Sequence, residues 1–550
     1  MSYDISINNG IIVDGTGNPW YKGNIAIKNG YIADISRHRK FKADVLIDAS
    51  GLIVAPGFID MHSHSDYTLL VNPYAESKIM QGVTTEVIGN CGSSAAPVKG
   101  EIAIKRMKRR LKNYGLNLSW RSFGEYLELL QRQGISINIA PLVGHGQIRI
   151  CVMGYEARAP TENELEEMKK LLDESLKMGA FGMSTGLVYP PGRFAKTEEI
   201  IELCKVISKY DGLYATHIRG ERETIVEAVK EAVKIAEKAK VKLQISHHPA
   251  KIGGWGKSKI TLKIIEEARS RGVDVACDLH PYIAGSTGLS TLLPPWVQEG
   301  GLEKIMERLR DFKLRKKIIE DMIEEPIPGP GPCGLVKRNM WDKIILVSCK
   351  RNRVLIGKSI KEIAELRGID PFNAYFDLLL EEETAGSIIG FYYNEDDIRR
   401  VLLHQCSMIG SDGYAISPKE PFTKSMPHPR SYGTFPMIIR KYVKGVKRND
   451  LWYDSAAKIL RLEDAVRKMT SLPAQRLGLH DRGLIEKGFW ADIVIFDFAN
   501  IMDTATYLHP HSYSKGIKYV IINGNFAVFE GKHTYKKIGK VLNPPFSLNK

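Results

Sequence analysis

Two textures of apolar and polar positions alternate along this chain. In the first fifty residues, apolar side chains come in short bursts: Ile5-Ser6-Ile7, Ile11-Ile12-Val13, Asn24-Ile25-Ala26-Ile27 and Val45-Leu46-Ile47. Turn pairs separate them at Asn9-Gly10, Asp14-Gly15 and Asn29-Gly30. Alternate residues of a strand share a face, and Asn-Gly or Asp-Gly between such runs marks a tight turn. The same texture returns in Ala491-Asp492-Ile493-Val494-Ile495-Phe496 and Val520-Ile521-Ile522-Asn523-Gly524. Two β-rich ends around a different middle predict one small β-sandwich domain built from both termini, residues 1–57 and 474–535, with 536–550 as a tail; the alternative reading is two separate hairpins packed on the barrel.

The middle reads differently. Ile137 to Val143 is strand-like; Glu164 to Met178 has helical spacing and leads into Phe181-Gly182-Met183-Ser184. Ile225 to Ala239 is helical and precedes the strand-like Val241 to Ser246; Ile260 to Arg271 precedes Val273 to Asp278. Repeated strand–helix units predict an α/β fold, a (β/α)8 TIM-type barrel over residues 58–473. The stretch from about 299 to 350 breaks the rhythm. Its run Pro326-Ile327-Pro328-Gly329-Pro330-Gly331-Pro332 marks an insertion near the active-site face.

Composition narrows the class. A chain of 550 residues with 43% hydrophobic content suits a large barrel with an accessory domain. Mean hydropathy is −0.19, and no run approaches the roughly 20 apolar residues of a membrane span. The net charge of +15 invites a nucleic-acid reading. The basic residues are nevertheless interleaved with acids, and Lys105-Arg106-Met107-Lys108-Arg109-Arg110 reads as a solvated helix face. Neither a nucleic acid nor a membrane is expected as a partner; the excess charge can draw in an anionic small molecule. Met1 to Ile5 carries an acid and no long apolar run, so no secretory signal is read there. Seven scattered cysteines (Cys91, Cys151, Cys204, Cys277, Cys333, Cys349, Cys406) argue for a reducing compartment, and a cytoplasmic location is expected.

Candidate chemistry gathers at strand ends, where barrel enzymes place their catalytic groups. Phe58-Ile59-Asp60-Met61 leads into His62-Ser63-His64. Residues i and i+2 of a strand face one side, so both imidazoles can converge on a metal. Cys91 follows Val87-Ile88-Gly89-Asn90 at a Gly-flanked turn. It reads either as a small buried hydrophobe or as a soft thiolate ligand. His217 ends Leu213-Tyr214-Ala215-Thr216, and His247 ends Leu243-Gln244-Ile245-Ser246 with His248 beside it. The period of the strand favours His247 over its neighbour as the ligand. Asp412, in Ile409-Gly410-Ser411-Asp412-Gly413, is either a turn former or a metal-associated general base; its place last in a series of ligands favours the second. Arg430, in a Pro- and Gly-rich loop, is either an ordinary loop arginine or a bidentate carboxylate clamp.

These features resemble the amidohydrolase superfamily, and within it the N-acyl-D-amino-acid deacylase (D-aminoacylase) family. The matching stretches are PGFIDMHSHSD from Pro56, GVTTEVIGNCG from Gly82, LVGHGQIR from Leu142 and FGMSTGLVYPPG from Phe181. YATHIRGE from Tyr214, QISHH from Gln244, IGSDG from Ile409 and HPRSYGTF from His428 continue the match along nearly the whole chain. Many members of the superfamily bridge two metals through a carbamylated lysine on the fourth strand. Phe181 to Gly186 has no lysine, and Cys91 matches the cysteine that bridges in the deacylase branch. The resemblance implies a tight zinc at Cys91, His217 and His247, and a second, weaker position at His62, His64 and Asp412 that shares Cys91. It implies Asp412 as general base and acid, with Tyr189, Lys251, Ser286 and Arg430 contacting the substrate's carboxylate. The substrate implied is a small N-acyl-D-amino acid, hydrolysed at its amide. Two departures, His280-Pro281-Tyr282 in place of Tyr-Pro-Tyr and Pro249-Ala250 ahead of Lys251, fall at that carboxylate end. The competing readings are a hydantoinase- or dihydroorotase-like cyclic amidase and a metal-binding protein without catalysis.

Overall fold

The computed structural model describes residues 2–324, 333–451 and 453–546. Five strands from the N-terminal end and four from the C-terminal end join in one nine-stranded sheet. The two ends meet where Ile53–Pro56 pairs antiparallel with Ile493–Phe496, Val54 opposite Ile495. The alternation visible in the sequence buries Ile5, Ile7, Ile25, Ile27, Ile47, Ile493 and Ile495 in a small core of their own. The hairpin between Tyr21–Lys28 and Tyr31–Ser36 turns on Asn29 and Gly30, both at positive φ (52° and 88°), as a two-residue turn of this hand requires.

The middle of the chain supplies two sets of parallel strands. Phe58–Asp60, Val83–Ile88 and Asn138–Pro141 form one trio. Val143–Gly144, Gly182–Gly186, Leu213–His217, Lys242–Ile245, Val275–Leu279 and Ser407–Ile409 follow one another in a second, six-stranded sheet. Every residue of Gly182–Gly186, Leu213–His217 and Val275–Leu279 is buried, as parallel strands covered on both faces must be. The chain passes directly from the trio to the six at Leu142. At the far edge, Met61 N donates to Ile409 O at 3.3 Å, and Ser63 bridges Gly413 in parallel.

The helices pack outside these strands, and their starts are written locally. Thr161 and Glu164 form a capping box at the head of Glu162–Lys177. Ile225–Ala239 buries Ala228, Val229, Ala232, Val233 and Ala236, the i, i+4 stripe that its sequence shows. The basic run 105–110 lies on Glu101–Lys112.

Val275–Leu279 and Ser407–Ile409 are neighbours in the sheet, so residues 280–406 form one long excursion between them. It is wider than the 299–350 expected from the broken rhythm. The reason is its own three-stranded antiparallel sheet, Ala284–Gly288, Ile344–Cys349 and Gly386–Phe391, interspersed with helices that imitate the strand–helix alternation. The Pro-rich run 326–332 lies outside the described residues. Among those described, no helix is long and apolar enough to cross a membrane.

Candidate metal centre

Six side chains from five strand ends converge although they span 350 residues of chain. The ligand atoms of His62, His64, Cys91 and Asp412 lie within 4.8 Å of one another, as do those of Cys91, His217 and His247. His62 and His64 lie beyond the strand Phe58–Asp60, yet strand pairing continues past it: Asp412 N donates to His62 O (2.7 Å) and His64 N to Gly413 O (2.9 Å). The intervening Ser63 points the other way and donates to Glu86 Oε2 at 2.7 Å, so the period-two reading holds. A buried platform fixes this edge, with Lys78 Nζ 2.6 Å from Asp60 Oδ2, and Asp60 Oδ1 accepting from Ser411 N at 2.8 Å.

Cys91, His247 and Asp412 share a backbone feature: φ is +53°, +34° and +52°. Non-glycine residues rarely adopt this conformation, and where they do the surrounding structure must hold it. It also corrects the ground on which His247 is preferred. The strand ends at Ile245, and a left-handed turn, not strand period, sends His247 into the cluster. His248 faces away, its Nε2 2.9 Å from Thr261 Oγ1; burial above all drives its pKa down to about 4.

The inner donor set shows what it is built to hold. His217 Nε2 and His247 Nδ1 stand 3.1 Å and 3.2 Å from the two oxygens of one carboxylate, Glu221. A carboxylate on the far nitrogen fixes the ring's proton there and leaves a lone pair on the near one. The near nitrogens, His217 Nδ1 and His247 Nε2, face each other at 2.9 Å, with Cys91 Sγ 3.7 Å from His247 Nε2. Two lone pairs and a sulfur aimed at one point call for a cation between them, and two imidazoles with a thiolate suit zinc. Burial works to raise the Cys91 pKa. The charge of His62 and the hydrogen bonds of His217, His247 and His62 outweigh it and hold the thiol well below its usual value.

The outer set is more open. Cys91 Sγ also lies 3.3 Å from His62 Nε2, and His64 Nε2 lies 2.9 Å from Asp412 Oδ1. The His62 Nδ1 atom faces Asp278 Oδ1 at 3.3 Å. Arg430 Nη1 pairs with the second Asp412 oxygen, Oδ2, at 2.7 Å. Burial acts to raise the Asp412 pKa, but Arg430 first, then the hydrogen bond of His64 and the charge of His62, hold it well below the usual carboxylate range.

The remaining expected residues surround this point. The Tyr189 ring packs edge-on to His217 with centroids 4.9 Å apart, and its hydroxyl accepts from Thr287 Oγ1 at 3.4 Å. Lys251 is buried; its ammonium pairs with Glu221 and lies 5.4 Å from the ring centroids of both Tyr392 and Tyr393. Ser286 presents its carbonyl 3.5 Å from Arg430 Nη2. His280, one of the two departures, turns Nε2 toward Arg430 Nη1 at 3.3 Å. Two carboxylates that hold the histidines, Glu221 and Asp278, escape the sequence reading. Asp278 also accepts from His247 N at 2.8 Å. Glu221 carries a signal in hindsight, four residues after His217; Asp278 resembles any acid at a strand end.

Metal-binding side chains at the C-terminal ends of parallel strands define a class of hydrolase-type sites. This chain belongs to the amidohydrolase family, whose model matches residues 45–528. It is 35% identical to a D-aminoacylase of Alcaligenes xylosoxydans xylosoxydans over 543 residues, 98% of this chain and 97% of that protein. The crystal structure of an N-acyl-D-glutamate deacylase from Bordetella bronchiseptica, complexed with zinc and a phosphonate mimic of the tetrahedral intermediate, superposes with a TM-score of 0.80 at 32% identity, covering 99% of this chain and all of that one. A D-aminoacylase structure described for its binuclear metal centre, with one-metal activation and second-metal attenuation, gives 0.79 at 33% identity, covering 98% of this chain and 100% of that one.

Proposed function

We propose that this chain is a zinc-dependent N-acyl-D-amino-acid deacylase, which hydrolyses the linear amide to a carboxylate and a D-amino acid. The observation that carries the reading is the pair of imidazole nitrogens facing each other beside Cys91, both braced by Glu221. Cys91, His217 and His247 hold the tight zinc in this reading, and His62, His64 and Asp412 offer a weaker position that shares Cys91. Zinc supplies Lewis acidity at this point, acidifying water and polarising an amide carbonyl. Asp412, kept ionised by Arg430 and His64, accepts the proton of the attacking water and returns it to the leaving nitrogen. Tyr189, Lys251, Ser286 and Arg430 are proposed to position the substrate's carboxylate. Arg430 does so from a place where it also holds Asp412, which couples substrate binding to the base.

The supporting fold is, in this proposal, a closed (β/α)8 barrel over 58–473, sealed where Met61 and Ser63 meet Ile409 and Gly413, with a terminal β-sandwich of 1–57 and 474–535. A cytoplasmic location goes with it on the sequence argument from the scattered cysteines. A cyclic-amide hydrolase is the nearest alternative, and Cys91 at the shared position, with no lysine in Gly182–Gly186, favours the deacylase. The deciding assay sets N-acetyl-D-methionine, its L enantiomer and a hydantoin ring before zinc-loaded protein. Release of D-methionine alone supports the reading. Ring opening without deacylation would replace it with the cyclic amidase, and zinc binding without turnover would leave a metal-binding protein.

A further inference from the structure

On the strands that lead to Asp278 and Asp412, on the side before the metal centre, two cysteines and a histidine form a second reactive cluster; Cys277 directly precedes Asp278, and Cys406 lies six residues before Asp412. Cys277 lies on Val275–Leu279, and Cys406 immediately precedes Ser407–Ile409. The two strands are paired, with Cys277 opposite Ser407 and Cys277 N donating to Cys406 O at 3.2 Å. Cys406 is one residue along from that partner, so its Cα lies about 6 Å from that of Cys277, within the range that a disulfide spans. The two side chains interact, each shifting the acidity of the other.

His404 gives the pair a base. Its Nε2 stands 3.0 Å from Glu266 Oε1, which places the ring proton on that nitrogen. Nδ1 then carries the lone pair. Two donors agree with this: Cys406 N at 3.4 Å and Cys406 Sγ at 2.9 Å both face Nδ1. A thiol, a base in contact with it and a carboxylate orienting that base make the arrangement that activates a nucleophile. Buried Lys468 adds positive charge within reach of both thiols, its Nζ donating to Ser407 Oγ at 3.0 Å. The thiols share their acidity unequally. The contact with Cys277 first, and His404 after the opposing effect of burial, lowers the Cys406 pKa, while the contact with Cys406 and burial raise that of Cys277. Cys406 retains 4% exposure beside a half-exposed Glu266, so a small oxidant needs little opening to reach it.

We infer that Cys406 and Cys277 form a peroxide-reactive dithiol site separate from the metal centre, with Cys406 as the attacking thiol and His404 as its base. His404 takes the Cys406 proton, the thiolate attacks one peroxide oxygen, the O–O bond breaks, and the proton leaves with the departing oxygen as water or an alcohol. Cys406 is then a sulfenic acid. The Cys277 thiol displaces its hydroxyl as water, giving the disulfide. Two thiols and one peroxide thus become one disulfide and two molecules of water, or water and an alcohol. A dithiol reductant restores both thiols.

The test uses full-length, zinc-loaded protein exposed to stoichiometric hydrogen peroxide, alkylated and mapped by peptide mass spectrometry without reduction. The expected product is a Cys277–Cys406 linked peptide that dithiothreitol dissolves. In Cys277→Ser, dimedone should capture a sulfenic acid at Cys406; in His404→Asn, oxidation should slow by roughly tenfold or more. Free thiols at both positions, while Cys91 or Cys349 is oxidised in the same sample, would overturn the inference without any variant. So would an unchanged oxidation rate in His404→Asn.

Discussion

The two donor sets share Cys91 and differ in how the rest of their ligands are held. In the inner set, His217 and His247 are both buried, and a single carboxylate, Glu221, braces both rings from behind. In the outer set, His62 is buried with Asp278 behind its ring, while the side chains of His64 and Asp412 keep 19% and 13% exposure. Asp412 divides its two oxygens between His64 and Arg430. A braced, dry set of soft and imidazole donors holds a metal tightly. A set whose carboxylate is already paired with a guanidinium holds one weakly and leaves that carboxylate available for proton transfer. In the proposed reading, the inner set retains the working zinc and the outer set supplies the carboxylate that moves the proton.

Substitutions can break this contrast at graded strength. Cys91→Ala removes the donor common to both sets, so zinc by elemental analysis should fall to background and turnover with it. Retention of a full equivalent of zinc would mean that the inner histidines do not need the sulfur. Asp412→Asn should separate the sets. Zinc stays, while kcat drops by roughly 10²–10⁴-fold, the usual worth of a general acid–base group. A wild-type rate would remove Asp412 from the reaction. Glu221→Gln should weaken zinc binding by roughly 10–100-fold, read by competition with a chelator, with turnover recovering in excess zinc. His64→Asn should act least: the first equivalent of zinc binds as before, and only the second is lost in a titration.

Much of this site is legible in the sequence, for a physical reason. Parallel strands covered on both faces are short apolar runs, and their C-terminal ends are where polar groups can turn toward a common axis. His62, His64, Cys91, His217 and Asp412 are all found by looking there. His247 is found as well, although its direction comes from a turn at φ +34° that strand period does not foresee. What stays hidden is support across the chain. The spacing of Glu221 four residues after His217 hints at one contact, but nothing local shows that Glu221 braces a second histidine or that Asp278 reaches back to His62 and His247. The pairing of Arg430 with Asp412 is hidden in the same way, because a loop arginine shows its charge and not its partner. The terminal sheet is readable from its alternation and Asn-Gly turns. The excursion over 280–406 is not, since its antiparallel strands and helices carry the same local patterns as the sheet they interrupt.

The contrast between a braced inner set and an open outer set is tested most directly by adding zinc stepwise to chelator-stripped protein while following release of D-methionine from N-acetyl-D-methionine. Turnover is expected to be absent before addition and to rise with the first equivalent, in proportion to zinc retained by the inner set. Full turnover in the stripped protein, or a rise that begins only with the second equivalent, would contradict the assignment of the working zinc to Cys91, His217 and His247.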